Sequence, residues 1–225
     1  MLNNILYILF NYGSALEVGL RHTIIITVTS YFTGLVVGLL IAVLRVYGGR
    51  WIRGVLGILV EIIRGTPMMV QLFFVYYALP EIGLLLNPVA ASIIAIAINS
   101  AVYQSEYIRA SISAIPYSQF ESALSIGLTK SRAVLTIILP QAIRVATPAL
   151  VNEAVYLFKY SSIAYFVTAP ELMYIGKFIG SRTFLYVEMY IVLAAIYVAT
   201  SIVLTELAKV IERRYVIPGL LKSKA

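Results

Sequence analysis

Cysteine is absent from the 225 residues, which excludes disulfide frameworks and thiolate metal sites. Aspartate is absent as well, and the one histidine, His22, cannot build a histidine metal cluster. Charge is scarce at 12% of residues against 61% hydrophobic ones, and the mean hydropathy is +0.93. That balance is far from a soluble average and predicts an all-α membrane protein. No G-x-x-x-x-G-K-[ST] phosphate loop occurs, so ATP cannot be bound in that manner. No repeat, low-complexity tract or linker interrupts the chain, and residues 1–225 are read as one domain. Residues 1–22 lack the basic start and small-residue cleavage site of a signal peptide. They are too polar to span and are read as an amphipathic segment on the outer face.

What is present is a series of long apolar runs. Five spans are expected, at about 23–44, 54–80, 88–107, 144–169 and 184–207, each long enough to cross about 30 Å of hydrocarbon. The second is interrupted at Gly65-Thr66-Pro67, where a kink is expected because Pro67 removes a donor and disfavours helix at Thr66. Five spans place the termini on opposite faces, and the cations choose which. With the C-terminus inside, the inner face holds Arg45, Arg50, Arg53, Arg109, Lys130, Arg132, Arg144, Lys209, Arg213, Arg214, Lys222 and Lys224. The outer face holds only Arg21, Lys177 and Arg182, a clear positive-inside bias. The net charge of +7 is therefore read as belonging to the membrane and not to nucleic acid. The same bias puts the polar stretch 118–140 in the cytoplasm.

That stretch carries its own helix grammar. Ser118 and Glu121 have capping-box spacing, Gly127 offers the left-handed position that closes a helix, and Thr129 can cap a second helix ended by Pro140. Glu121, Ala123, Gly127, Ile137, Leu139 and Pro140 fall on the pattern EAA, three residues, G, nine residues, I-x-L-P. This resembles the EAA loop of permease subunits of ABC importers, with Ser122 in place of the usual second alanine. An interfacial helical hairpin is the alternative reading of the same residues. Ile63-Arg64-Gly65-Thr66-Pro67, Glu106-Tyr107-Ile108-Arg109, Leu139-Pro140-Gln141-Ala142 and Asn152-Glu153 with Lys159-Tyr160-Ser161-Ser162 are similar to the polar amino acid subfamily. Two departures, Ser118 for the usual glycine and Tyr160 for the usual acid, bear on pocket detail.

The resemblance implies a type I importer permease fold with a cytoplasmic coupling helix in the loop at about 113–140. It implies an ATP-driven importer of polar amino acids, with no cofactor in this chain and with ATP and Mg on a separate ATPase subunit. It further implies a second permease subunit and an extracellular or periplasmic binding protein, alongside membrane lipid. Glu121, Ala123, Leu124 and Gly127 would contact the ATPase. Alternatives are a glutamine or glutamate permease, and an ion-coupled secondary transporter, for which no inverted repeat is evident.

Charged groups inside a bilayer face the bundle and find partners. Glu61 with Arg64 and Glu106 with Arg109 lie three apart and share a helix face. Glu153 has no cation three or four residues away, so another helix, a water-filled cavity or a ligand must meet its charge. Glu153 is the foremost candidate for a substrate ammonium or cationic side chain, with structural pairing the alternative. Arg64 and the backbone at Thr66 are candidates for the substrate carboxylate, and Ser100 and Ser161 for hydrogen bonds. The 17 tyrosines are read as interfacial and packing residues.

Overall fold

The computed structural model describes residues 1–215 and is helical throughout that stretch apart from short connections. Lys222 and Lys224, counted above among the inner cations, lie outside the described residues. The first helix, α1, runs unbroken from Leu2 to Tyr47, 46 residues and about 70 Å at the usual rise. This corrects the reading of residues 1–22 as a separate surface segment. No proline or terminator stands between Arg21 and Thr23, and the two charged residues pair, Arg21 to Glu17 at 3.0 Å, on an exposed face. The opposite face places Ile8, Leu16 and Gly19 against two later helices, α8 (Leu172–Thr183) and α9 (Tyr186–Tyr215).

The break in the second span is far sharper than a kink. Helix α2 (Arg50–Gly65) and α3 (Met68–Phe73), which continues through irregular turns to Ile82, meet at 105°. Among the described residues, four helical segments are long and apolar enough to cross a membrane, and the bent pair makes up to five.

Helix α4 (Pro88–Ser113) starts on Asn87, whose side chain accepts from the Ala90 N–H at 2.8 Å. It packs lengthwise on α1, whose buried residues Ile26, Ser30, Gly34, Gly38 and Ala42 recur every fourth position as one ridge. The contact is close. A Cβ on Gly38 would stand 2.6 Å from the Ala101 carbonyl oxygen, and one on Gly34 would meet Ala101, Ser100 and Gln104 at 3.1 Å. Small residues four apart let membrane helices approach this far. Gly38→Leu is therefore expected to cost about 3 kcal/mol or more through backbone overlap. Loss of the monodisperse peak in size-exclusion chromatography of the detergent-solubilised protein would register it.

Helix α5 (Tyr117–Ser125) packs against the helical turns that follow it, between Lys130 and Ile138. Its N-cap is Pro116 and no side chain caps it, so the expected Ser118–Glu121 box does not form. Proline sets its own φ at −56° and starts the helix one residue ahead of Ser118. Pro140 does not end the next helix either. One helical run extends from Lys130 to Val167, through α6 (Lys130–Ala133), a π turn at Val134–Ile138 and α7 (Leu139–Tyr160). The widened turn directly before Pro140 absorbs its ring and missing N–H, so the helix continues. The fourth span thus begins earlier than residue 144. A 3-10 segment at Ser161–Val167 leads to α8, which was not anticipated from sequence.

Candidate functional site

Glu153 projects from the middle of α7 and is only 6% exposed. Its carboxylate accepts from the Ser100 hydroxyl of α4 at 3.1 Å and, more weakly, from Tyr107 at 3.4 Å. Among the described residues no lysine or arginine pairs with it. Two neutral donors leave a buried carboxylate far short of a full counter-charge. It opens instead onto a cavity of about 340 Å³ lined by Tyr103, Tyr107, Ala149, Asn152, Glu153 and Tyr156, a volume suited to a small ligand.

Helical spacing builds this wall. Tyr103 and Tyr107 lie four apart on α4, and Ala149, Asn152, Glu153 and Tyr156 form an i, i+3, i+4, i+7 stripe on α7. That stripe is visible in the sequence, yet composition alone had assigned the tyrosines to interfaces and packing. Three of them face the buried acid instead.

Of the two carboxylate candidates, Arg64 reaches the wall of this cavity. Arg64 closes α2 with its guanidinium 5.9 Å from the centre of the Tyr103 ring, within cation–π range. It also approaches Glu61 at 3.4 Å, but both side chains are well exposed and the pair is weak. The Thr66 hydroxyl is committed to the Ile62 carbonyl at 2.7 Å and its N–H to the Ile63 carbonyl at 3.3 Å. Ser100 is joined to Glu153 as expected, whereas Ser161 is not among the cavity-lining residues. Ser161 is fully buried and donates to the Phe158 carbonyl at 2.8 Å, closing the end of α7.

Sequence reasoning gave Gln71 no role, and it holds the bend. Its side-chain nitrogen donates to the Ile63 and Thr66 carbonyls, both at 2.8 Å, so it joins the end of α2 to the residues of the break. Its oxygen accepts from Asn99 at 3.2 Å. Gln71→Leu would orphan the Thr66 carbonyl, at about 1–3 kcal/mol where buried, and leave the Ile63 carbonyl with the Thr66 N–H alone. A lower thermal unfolding midpoint, with the Asn99→Ala variant milder, is the expected result.

At the other end of the bundle, α5 presents the EAA residues. Ala123 is buried, Leu124 partly covered, and Glu121 and Gly127 exposed. Gly127 has φ +87°, and the Leu128 N–H to Ala123 and Gly127 N–H to Leu124 bonds, at 3.2 and 2.9 Å, form a Schellman close. Thr129 then caps α6 by accepting from the Arg132 N–H, as its spacing predicts. Gln141 donates to Gln119 at 2.6 Å and to the Ile137 carbonyl at 2.8 Å, fastening α5 to the π turn. Near this end Glu106 joins both Arg45 of α1 and Arg109, the latter at 2.8 Å, so its pairing crosses helices as well as following one.

A bent span, a buried acid among helices and an outward-facing turn after Ala123 are the parts of a transport subunit. The family model for the binding-protein-dependent transport system inner membrane component matches residues 34–217. The chain belongs to that family. This permease is 38% identical over 197 residues to a probable amino-acid ABC transporter permease, YckA of Bacillus subtilis strain 168, covering 88% of this chain and 87% of the relative. It is 33% identical to the arginine transport system permease ArtQ of the same organism, covering 87% and 90% of the two chains. A crystal structure of an amino acid ABC transporter with histidines superposes with a TM-score of 0.84 at 35% identity, over 92% of this chain and 96% of that one. The inward-facing MetNI methionine transporter, at 20% identity and a TM-score of 0.79, shares the fold. The permease is a membrane-spanning amino-acid ABC transporter subunit of type I importer fold and not an enzyme.

Proposed function

We propose that this permease imports polar amino acids and prefers cationic ones, arginine, lysine or histidine. The observation that carries the reading is Glu153, buried and facing a cavity without a cationic partner among the described residues. A guanidinium, ammonium or imidazolium in that cavity supplies the missing charge. Arg64, beside Tyr103, receives the substrate carboxylate, and Ser100 orients the acid. The arginine permease relative and the solved transporter with histidines support the same substrate class.

The N-terminus lies outside and the C-terminus inside, following the cation bias. Helix α5 then faces the cytoplasm, where Glu121, Leu124, Ile126 and the Gly127 turn dock on a separate ATPase that holds ATP and Mg. A second permease subunit and an external binding protein complete the importer. Uptake of labelled arginine by proteoliposomes carrying the assembled transporter tests the reading. ATP-dependent uptake competed by lysine and histidine, and not by glutamate, is expected. Competition by glutamine as strong as by lysine would mean that Glu153 reads only the α-ammonium, and uptake without ATP would overturn the importer assignment.

A further inference from the structure

Behind Glu153 lies a residue that touches neither the cavity nor any charged group. Gln104 is fully buried between α1 and α4. Its side-chain nitrogen donates to the Tyr31 carbonyl of α1 at 3.1 Å and to the Ser100 hydroxyl oxygen at 2.8 Å. Tyr31 offers a carbonyl, which only accepts, so the amide is fixed with its nitrogen on that side. Its oxygen is buried without a hydrogen-bond partner among the described residues. A glutamine held at that cost is held for what its nitrogen does.

The direction of the chain of bonds is forced. Ser100 has one proton, and with Gln104 donating to its oxygen that proton goes to Glu153 at 3.1 Å. Several helical hydroxyls here turn back onto their own helix, Ser92 to Pro88, Ser113 to Arg109 and Thr147 to Ile143, and Ser100 makes no such bond. The close passage of α1 at Gly34 sets the distance, since the Gly34 Cβ position is 3.1 Å from the Gln104 nitrogen. We infer that Gln104 is a positioning residue that aims the Ser100 hydroxyl at Glu153 and so ties the carboxylate to the α1–α4 contact. Its consequence for substrate rests on Glu153 being the amino-acid contact.

Two readouts separate the two claims. In infrared spectra of the purified permease–ATPase complex, the Glu153 carboxyl band is isolated by difference against Glu153→Gln. Gln104→Met, close in size but without a donor, frees Ser100 to rotate onto its own helix, and Ser100→Ala removes the donor. Both are expected to move the band in the same direction by the same amount, and the double variant no further, because the two residues act in series. An unmoved band in Ser100→Ala, an unmoved band in an assembled Gln104→Met, or additive shifts overturns the inference. In arginine uptake, Gln104→Met is expected to raise KM about tenfold, as ~1.4 kcal/mol of lost bonding to a charged group does, with the loss in KM and not in maximal rate. Band shifts as expected with an arginine KM indifferent to Glu153→Gln would leave the relay standing and remove the substrate reading instead.

Discussion

Glu153→Gln is expected to lower arginine uptake about 100-fold at subsaturating substrate while the complex still assembles. The substitution keeps the size of the side chain, and its carbonyl oxygen still accepts from Ser100, now at 3.1 Å from the acid. What it removes is the charge. Stranding one member of a buried ionic contact costs about 2–5 kcal/mol, and ~2.7 kcal/mol is 100-fold. A structural Glu153, needed only to accept from Ser100 and Tyr107, would tolerate glutamine with a change under tenfold. Concentration-dependent uptake by wild type and variant decides between them. If the two curves coincide, the cationic preference loses its basis and the carboxylate-binding side near Arg64 becomes the whole of the site.

The second large effect concerns the turn after α5. Gly127→Val is expected to cut ATP-driven uptake by tenfold or more and to reduce co-purification of the ATPase. No atom lies within 4 Å of a Cβ at this position, so crowding is not the cause. The cause is backbone conformation: φ +87° costs a residue with a Cβ about 1–2 kcal/mol, and a β-branched one more. Relief of that strain breaks the two bonds closing α5 and swings Ile126, 78% exposed, off its present direction. Gly127→Asn, which visits left-handed φ more readily, should retain most activity. Wild-type uptake and pull-down by Gly127→Val would remove this turn from the coupling machinery.

Legibility differed by element. The spans were read from apolar length because lipid imposes it, and the Gly127 close and the Thr129 cap were read because each rests on one residue's own backbone chemistry. The isolation of Glu153 was read from the spacing of cations on its helix. Three local readings gave way to neighbours. Ser118 lost the N-cap to Pro116, Pro140 was absorbed by the π turn before it, and residues 1–22 continued α1. In each case a signal sound by itself was overridden by a residue or surface one turn or one helix away. The Tyr103, Tyr107 and Tyr156 wall had a readable stripe, but tyrosine is so frequent here that composition hid it.

The sequence by itself determined the membrane class, the family, the EAA helix and turn, and the presence of an acid with no cation on its own face. These follow from composition, from contiguous motifs and from the period of one helix, none of which needs a second element. Only the tertiary structure decided that Ser100, Tyr107 and Gln104 stand behind that acid, that Arg64 shares a tyrosine with its cavity, and that Gln71 holds the 105° bend. Apart from the Gln104 to Ser100 bond, which follows α4, each of those contacts joins residues on different helical elements, and Gln104 itself reaches Tyr31 of α1. A helix period fixes which face a side chain occupies, but the rotation and height of one helix against another are set by packing, here by the Gly34 and Gly38 approach of α1 to α4.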